Sequence, residues 1–175
     1  MHFVNWINVI FQIFYSILGE FEDLRKRLLQ ELWKFNLTTK KWTKLKTSGP
    51  VPETVASHTA HFLVYNTDPK LLTFGGTGFP FGHNLSVNIN FCDLKSLQWT
   101  IISPGELSER CPMPSYGQAT KCHGQYFYTV GGTDGHRYTN SVHRYDFTKN
   151  EWTCLFEGEI GGHILQSLFD SPAPR

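Results

Sequence analysis

The side chains best suited to contact a partner lie in two short segments that each follow a Gly-Gly pair. Residues 133–140 contain Arg137, whose planar guanidinium can hold a carboxylate through two parallel hydrogen bonds. Arg110 can do the same, although an arginine that is merely solvated is the plainer alternative for both. The aromatic residues of segment 77–86 either contact a partner or cap the edge of a sheet. The candidates in these segments are Phe79, Phe81, His83, His136, Arg137 and Tyr138, and Arg110 lies in the link 104–114 between two predicted blades.

The remaining reactive residues do not form a pattern typical of catalysis or metal binding. His58 and His61 are three residues apart on a predicted strand, so their side chains point to opposite faces and cannot share a metal. The glycines of segment 75–82 are not followed by a predicted helix, which a phosphate-binding loop requires. The 4 cysteines form no CxxC pair and are expected to be reduced thiols. We therefore expect a protein that is not an enzyme, has no metal or cofactor, and resides in the cytoplasm and/or nucleus.

Charge gives no reason to expect a nucleic-acid partner. The 175 residues contain 16 Lys and Arg against 15 Asp and Glu, a formal net charge of +1. Half of the basic residues fall between residues 25 and 46, where Glu31 is the only acid. Such a cluster can bind nucleic acid or anionic lipid, but a solvated protein surface is the better interpretation.

The N-terminus carries an apolar stretch of 16 residues, from Phe3 to Leu18. It is shorter than the roughly 20 residues that span a bilayer. Its polar residues recur at helical spacing, which predicts an amphipathic helix within an appendage covering residues 1–30. Three alternatives stay open: a helix packed on the rest of the chain, an interfacial membrane helix, and a sequence unrelated to the following domain. The spaced polar residues are Asn5, Asn8, Gln12 and Ser16.

Two motifs that recur in the same order indicate the elements that must position these side chains. Residues 35–43, 92–100 and 145–153 each read Phe, Cys or Tyr, then Asn or Asp, Leu or Phe, four mostly polar residues, Trp and Thr. Residues 71–77 and 127–133 are apolar runs that end in Gly-Gly-Thr. A period of about 50 residues with four short strands is typical of a propeller blade. The repeated structural residues are Trp42, Trp99, Trp152, Gly75, Gly76, Gly131 and Gly132.

Gly-Gly at the end of one strand, followed by Asn or Asp and then Trp across a later turn, resembles the kelch repeat. The resemblance covers about residues 31–157 and implies an all-β chain, an incomplete kelch-type β-propeller of about two and a half four-stranded antiparallel blades. An up-and-down strand order places the segments 47–54, 77–86, 104–114 and 133–140 at one end of these blades. Because two and a half blades cannot close a ring, we expect a fragment of a longer propeller. The predicted units are a partial blade at 31–46, blades at 54–103 and 115–156, and an irregular tail at 158–175.

The resemblance also implies a function, because similar propellers recognise substrates for cullin-RING ubiquitin ligases. They bind the C-terminal ends of other proteins, which would make Arg110, Arg137, Ser115 and Tyr116 the first candidate donors to a terminal carboxylate. The helix with which such adaptors dock on elongin and cullin-2 is not recognisable in residues 158–175. The alternative is a membrane-associated or non-functional truncated product driven by the apolar N-terminus.

Overall fold

The computed structural model describes residues 9–11, 30–53, 56–78, 80, 82–103, 110–158 and 160–161. This part of the chain contains twelve β-strands and no helix. The strands are β1 (Val9–Phe11), β2 (Leu32–Asn36), β3 (Lys41–Leu45), β4 (Thr59–Tyr65), β5 (Asp68–Phe74), β6 (Ile89–Asp93), β7 (Trp99–Ile101), β8 (Ala119–His123), β9 (Tyr126–Thr133), β10 (Tyr138–Asp146), β11 (Glu151–Phe156) and β12 (Ile160–Gly161).

The strands form three antiparallel sheets, which we call the first, second and third blades. The first blade has the order β1-β2-β3, and the second has the order β4-β5-β6-β7. The third blade has the order β11-β10-β9-β8, with β12 also paired to β10. The predicted all-β class with four-stranded antiparallel units is confirmed, and the sheet orders are compatible with the blades of an incomplete propeller.

The turns between β2 and β3, between β6 and β7, and between β10 and β11 are closed by the same type of side-chain hydrogen bond. Asp93 accepts hydrogen bonds at Oδ1 from the N–H groups of Lys95 and Ser96, both at 2.8 Å. The turn closes at Leu97, which has a φ of 59° and donates its N–H to the Asp93 carbonyl at 2.8 Å. Short polar side chains favour such turns because they satisfy backbone donors locally. The same bonds recur around Asn36 in the first blade and Asp146 in the third.

The repeated tryptophans mark the contacts between blades. Trp99 is 3% exposed and packs in a cluster that joins Leu32 of the first blade to Leu71 of the second. Trp152 is 4% exposed, and its ring centroid lies 5.6 Å from that of Phe74 in the second blade. Trp42 of the first blade is 40% exposed. Burial of large aromatic rings therefore holds the described blades side by side.

The helix predicted within residues 3–18 is wrong at Val9–Phe11, which form β1. This strand pairs with β2, with Val9 opposite Asn36 and Phe11 opposite Lys34. The β-branched residues at 9 and 10 suit a strand, and the outer edge of β2 offers unpaired backbone groups. The rest of the predicted helix lies outside the described residues. No described helix has the length and apolar character needed to cross a membrane.

Two further details of the repeat differ from expectation. The second Gly-Gly pair lies inside β9, where Gly132 is opposite Thr139, whereas β5 ends just before Gly75. The tail predicted to be irregular from residue 158 contains β12, whose Ile160 also pairs with Thr139. Both differences follow from the length of β10, which has 9 residues where β6 has 5 and so extends pairing on both of its sides. Residues 162–175 lie outside the described part of the chain.

Candidate partner-binding site

The second and third blades are joined at one end through the backbone around Ser115. The N–H of Gly76 donates to the Ser115 carbonyl at 3.0 Å. Tyr116 and Thr133 exchange two backbone hydrogen bonds of 2.9 and 3.0 Å, as Ala56 and Thr77 do in the second blade. The chain therefore enters each blade by pairing with the Thr that follows its Gly-Gly motif.

Glycine is required here because the two blades approach closely. A Cβ on Gly75 would lie 1.8 Å from Gln118 Nε2, and the φ of Gly75 is +67°. A Cβ on Gly132 would lie 2.8 Å from Ser115 Oγ, at a φ of +113°. Any other residue would be strained by its backbone at both positions. At Gly75 its side chain would also push the second and third blades apart, whereas at Gly132 it would displace Ser115 and Gln118 within the third blade.

The loops that follow the two Gly-Gly pairs meet at the same end of the molecule. A Cβ built on Gly135 would lie 3.5 Å from the Cα of Gly82 and 3.5 Å from the Tyr116 hydroxyl. A Cβ on Gly82 would lie 3.7 Å from the Asp134 carbonyl oxygen. We call this surface, formed by residues 82–86, 133–138 and Tyr116, the mouth.

The first loop of the mouth is held by the hydroxyl of Thr77. Its Oγ1 accepts a hydrogen bond from the N–H of Gly82 at 2.9 Å and donates to the His83 carbonyl at 3.1 Å. The N–H of Gly78 also donates to the His83 carbonyl, at 2.7 Å. These bonds fix the backbone and leave the His83 side chain exposed. Phe79 and Phe81 lie outside the described residues.

The second loop of the mouth is organised by Asp134. Its Oδ1 accepts from the N–H groups of Arg137 and His136 at 2.7 and 2.9 Å. Its Oδ2 accepts from Arg137 Nε and Nη2 at 3.0 and 2.9 Å. Burial alone raises the pKa of the Asp134 carboxyl, but the two backbone donors and the guanidinium outweigh burial and lower that pKa to about 2. Asp134 is therefore ionised at neutral pH and orients an exposed guanidinium.

The remaining candidates divide between the surface and the contact between blades. Arg110, His136 and Tyr138 are exposed. Ser115 is 4% exposed, its carbonyl binds Gly76, and its hydroxyl abuts Gly132. The structure thus places Ser115 behind the mouth, in the contact between blades, and not among the groups that a partner can reach.

Sequence reasoning gave no role to Thr77, which anchors the first loop of the mouth, or to Asp134 in the second loop. Thr follows Gly-Gly in both copies of that motif, and Asp134 stands three residues before Arg137. Each pattern was visible in the sequence. Neither reveals that the side chain bonds to its own loop, because that depends on the path of the loop backbone.

The described residues do not assemble a metal site, and burial makes two of their thiols unreactive. Among them, no group of three or more His, Cys, Asp or Glu side chains is placed to hold a metal ion. None of the four cysteines forms a disulfide. Burial raises the pKa of the Cys92 thiol to about 12 and that of Cys122 to about 11. Both thiols are therefore protonated at neutral pH and are poor nucleophiles.

The sequence is similar to known kelch proteins along most of its length. A model of the KLHDC2/KLHL20/DRC7 Kelch-repeats domain matches residues 7–161. Kelch domain-containing protein 10 of Homo sapiens is 34% identical over 128 residues, which make up 73% of this chain and 27% of that protein. The Kelch domain-containing protein 10 homolog of Drosophila melanogaster is 30% identical over 133 residues, 74% of this chain and 21% of that protein.

A more distant similarity connects the chain to Host cell factor 2 of Homo sapiens. The two are 27% identical over 123 residues, which cover 62% of this chain and 15% of that protein. The chain spans less than a third of the length of the curated relatives that it matches.

Proposed function

Because the chain belongs to the kelch-repeat family, we propose that it is a protein-interaction module whose contact surface is the mouth. The matched domain covers residues 7–161, so the resemblance seen in the sequence is confirmed. Kelch domains bind other proteins, and kelch-repeat proteins are typically not enzymes. The observation that supports the mouth as the contact surface is the meeting of two loops that expose His83, His136, Arg137 and Tyr138 at one end of the blades.

The guanidinium of Arg137 is suited to bind a carboxylate from a partner. Asp134 occupies Nε and one N–H of Nη2, which is the side of the guanidinium plane. An arginine has five N–H donors in a fixed fork, so the end of the plane, formed by Nη1 and the second N–H of Nη2, can still take a carboxylate. The Asp134 contact also reduces the freedom that Arg137 would lose on binding, which lowers the entropic cost.

This arrangement supports a substrate-recognition role of the kind known for adaptors of cullin-RING ubiquitin ligases. The mouth would receive the C-terminal end of a target protein, with its carboxylate on Arg137 and its last side chains against Tyr116 and His83. We place this activity in the cytoplasm and/or nucleus. No docking motif for elongin or cullin-2 is recognisable in the sequence, so purified elongin should not bind this chain directly.

The test compares peptides that differ only at the terminal group. A panel of peptides with free C-terminal carboxylates, and the same peptides as amides, is measured against the 175-residue protein by fluorescence anisotropy. We expect carboxylates to bind about ten-fold more tightly, as one charge-assisted bidentate contact of roughly 1.5–3 kcal/mol implies. Arg137→Gln should remove that preference, and Lys149→Gln, which removes an exposed cation of the turn between β10 and β11, is the matched control. Equal binding of acid and amide would refute the role of the carboxylate.

A further inference from the structure

A cleft that shares residues 84–86 with the mouth lies between the second blade and the link that precedes it. Its volume is about 480 Å³, and it is bounded by the link Pro50–Glu53 and by Asn84, Leu85, Ser86 and Asn88 of the loop after β5. Asn90 of β6 and Ile101 of β7 also line it. Specific ligand sites commonly have volumes of about 300–1,000 Å³. We propose that this cleft binds an extended peptide segment that carries a lysine or arginine side chain.

The backbone of Ile101 supplies the hydrogen-bonding edge for such a segment. Ile101 stands opposite Asn90 in the β6–β7 pair, and the neighbouring Ile102 N–H donates to the Ile89 carbonyl at 2.9 Å. In an antiparallel pair, hydrogen-bonded and non-hydrogen-bonded positions alternate, so Ile101 occupies a non-hydrogen-bonded position. Its N–H and C=O therefore point away from β6, toward the outer edge of the blade. Such an edge binds extended peptides by adding them as a further strand.

The link between the blades begins this pairing and then leaves the edge. Ser48 accepts the Trp99 N–H at 2.8 Å and donates to the Leu97 carbonyl at 3.0 Å, as a parallel strand does. Every second residue of the link faces β7, so the next residue that could pair after Ser48 is Pro50. Proline has no N–H and cannot continue the ladder. The cleft opens where the link departs, so a peptide can continue at Ile101 the ladder that Ser48 starts.

The side chains of the cleft favour a cation and disfavour an anion. Glu53 provides an exposed carboxylate, and none of the lining residues is Lys, Arg or His. The carboxamides of Asn88 and Asn90 can both donate to and accept from a peptide main chain. Val51 and Ile101 offer aliphatic surface for the neighbouring side chains of the peptide. The lining contains no aromatic ring, so a sugar or a nucleobase would find no platform on which to stack.

The proposal is tested with a peptide whose two ends are blocked, so that the mouth contributes no terminal carboxylate contact. The probe is acetyl-Val-Thr-Val-Arg-Val-Thr-Val-amide, measured by isothermal titration against the 175-residue protein, beside the same peptide with Glu in place of Arg. The Arg peptide should bind more tightly than the Glu peptide. Glu53→Gln should weaken the Arg peptide about two- to five-fold, the range of one exposed ion pair. Glu151→Gln removes an exposed carboxylate of β11 and is the matched control.

A second probe tests the backbone contact and does not alter the protein. Two N-methylated forms of the Arg peptide are compared, one methylated at the odd positions and one at the even positions. Only one of these sets of amide N–H groups faces the edge of β7, so only one of the two forms should lose binding. Tighter binding of the Glu peptide, an unchanged affinity in Glu53→Gln, or equal binding of both methylated forms would overturn the proposal. Because Arg137→Gln should leave this binding intact, failure of the cleft and failure of the mouth are distinguishable.

Discussion

Replacing Gly75 by alanine should separate the second and third blades. The new Cβ would lie 1.8 Å from Gln118 Nε2 and 3.0 Å from the Ser115 carbonyl oxygen. The amide of Gln118 would have to move, which breaks its 3.2 Å hydrogen bond to the Phe74 carbonyl. The carbonyl of Ser115 belongs to the backbone and cannot rotate away, so the contact between the blades would also shift.

The magnitude follows from two separate costs. Alanine at a positive φ costs about 1–2 kcal/mol relative to glycine. Loss of the Gln118 bond adds about 0.5–1.5 kcal/mol, and displacement of the packed blade adds to this. We therefore expect Gly75→Ala to lower the free energy of unfolding by about 3 kcal/mol, a large part of the stability of a domain of this size.

Gly124→Ala isolates the backbone cost. Gly124 has a φ of +56°, and a Cβ there would meet no atom within 4 Å. Urea unfolding followed by tryptophan fluorescence reports on both variants because Trp99 and Trp152 are buried at the contacts between blades. Gly75→Ala should be less stable than Gly124→Ala by about 1–2 kcal/mol. Equal losses in the two variants would refute the close approach of the blades as the reason for glycine at position 75.

Two smaller effects follow from the same structure. Burial lowers the pKa of His61 and of His143, so protonation of these rings favours the unfolded chain. The urea concentration at the unfolding midpoint should be constant above pH 6.5 and should fall between pH 6.5 and 5, with a smaller fall in His61→Gln. An unchanged midpoint would contradict the burial of these rings. Lys40 is exposed at a φ of 56°. The free energy of unfolding measured with urea should therefore be about 1 kcal/mol higher for Lys40→Gly than for Lys40→Ala. The reverse order would show that the turn relaxes.

The sequence is sufficient to predict the strands of the repeated motifs because each blade repeats its own local signals. An apolar run, a Gly-Gly pair, an acidic or amide turn residue and a tryptophan each determine a structure within a few residues. The turn at Asp93 shows this, since one carboxylate oxygen, Oδ1, accepts the N–H groups of Lys95 and Ser96 and so closes the turn locally. Such local bonds form in the same way wherever the motif recurs, so a repeat in sequence becomes a repeat in structure.

The mouth could be predicted only in part, because its chemistry depends on contacts between distant segments. Strand order indicates that the loops after Gly76 and Gly132 share one end, and they do meet there. That Arg137 is held by Asp134, and that Ser115 is buried between blades, depend on how closely the loops approach. The strand at Val9–Phe11 was missed for a similar reason, since it depends on the distant edge of β2.

The two contacts between blades show that a tryptophan alone does not bury a blade face. In the third blade, Cys122 stands in one row with Phe127, Tyr145 and Trp152, and it packs against the core shared with the second blade. Phe62 holds the same place in the second blade, yet it is 48% exposed, and Val64 beside it is 55% exposed. This difference in exposure follows from the neighbouring strands. In the third blade, β8 lies beside β4 of the second blade. In the second blade, the described part of the first blade places β2 and β3 against the Trp99 side only. Such a row of side chains is therefore buried along its whole length only where the preceding blade supplies an inner strand such as β4. The reason is that apolar burial depends on the surface area that the neighbour covers, and a tryptophan at one end of the row covers only that end.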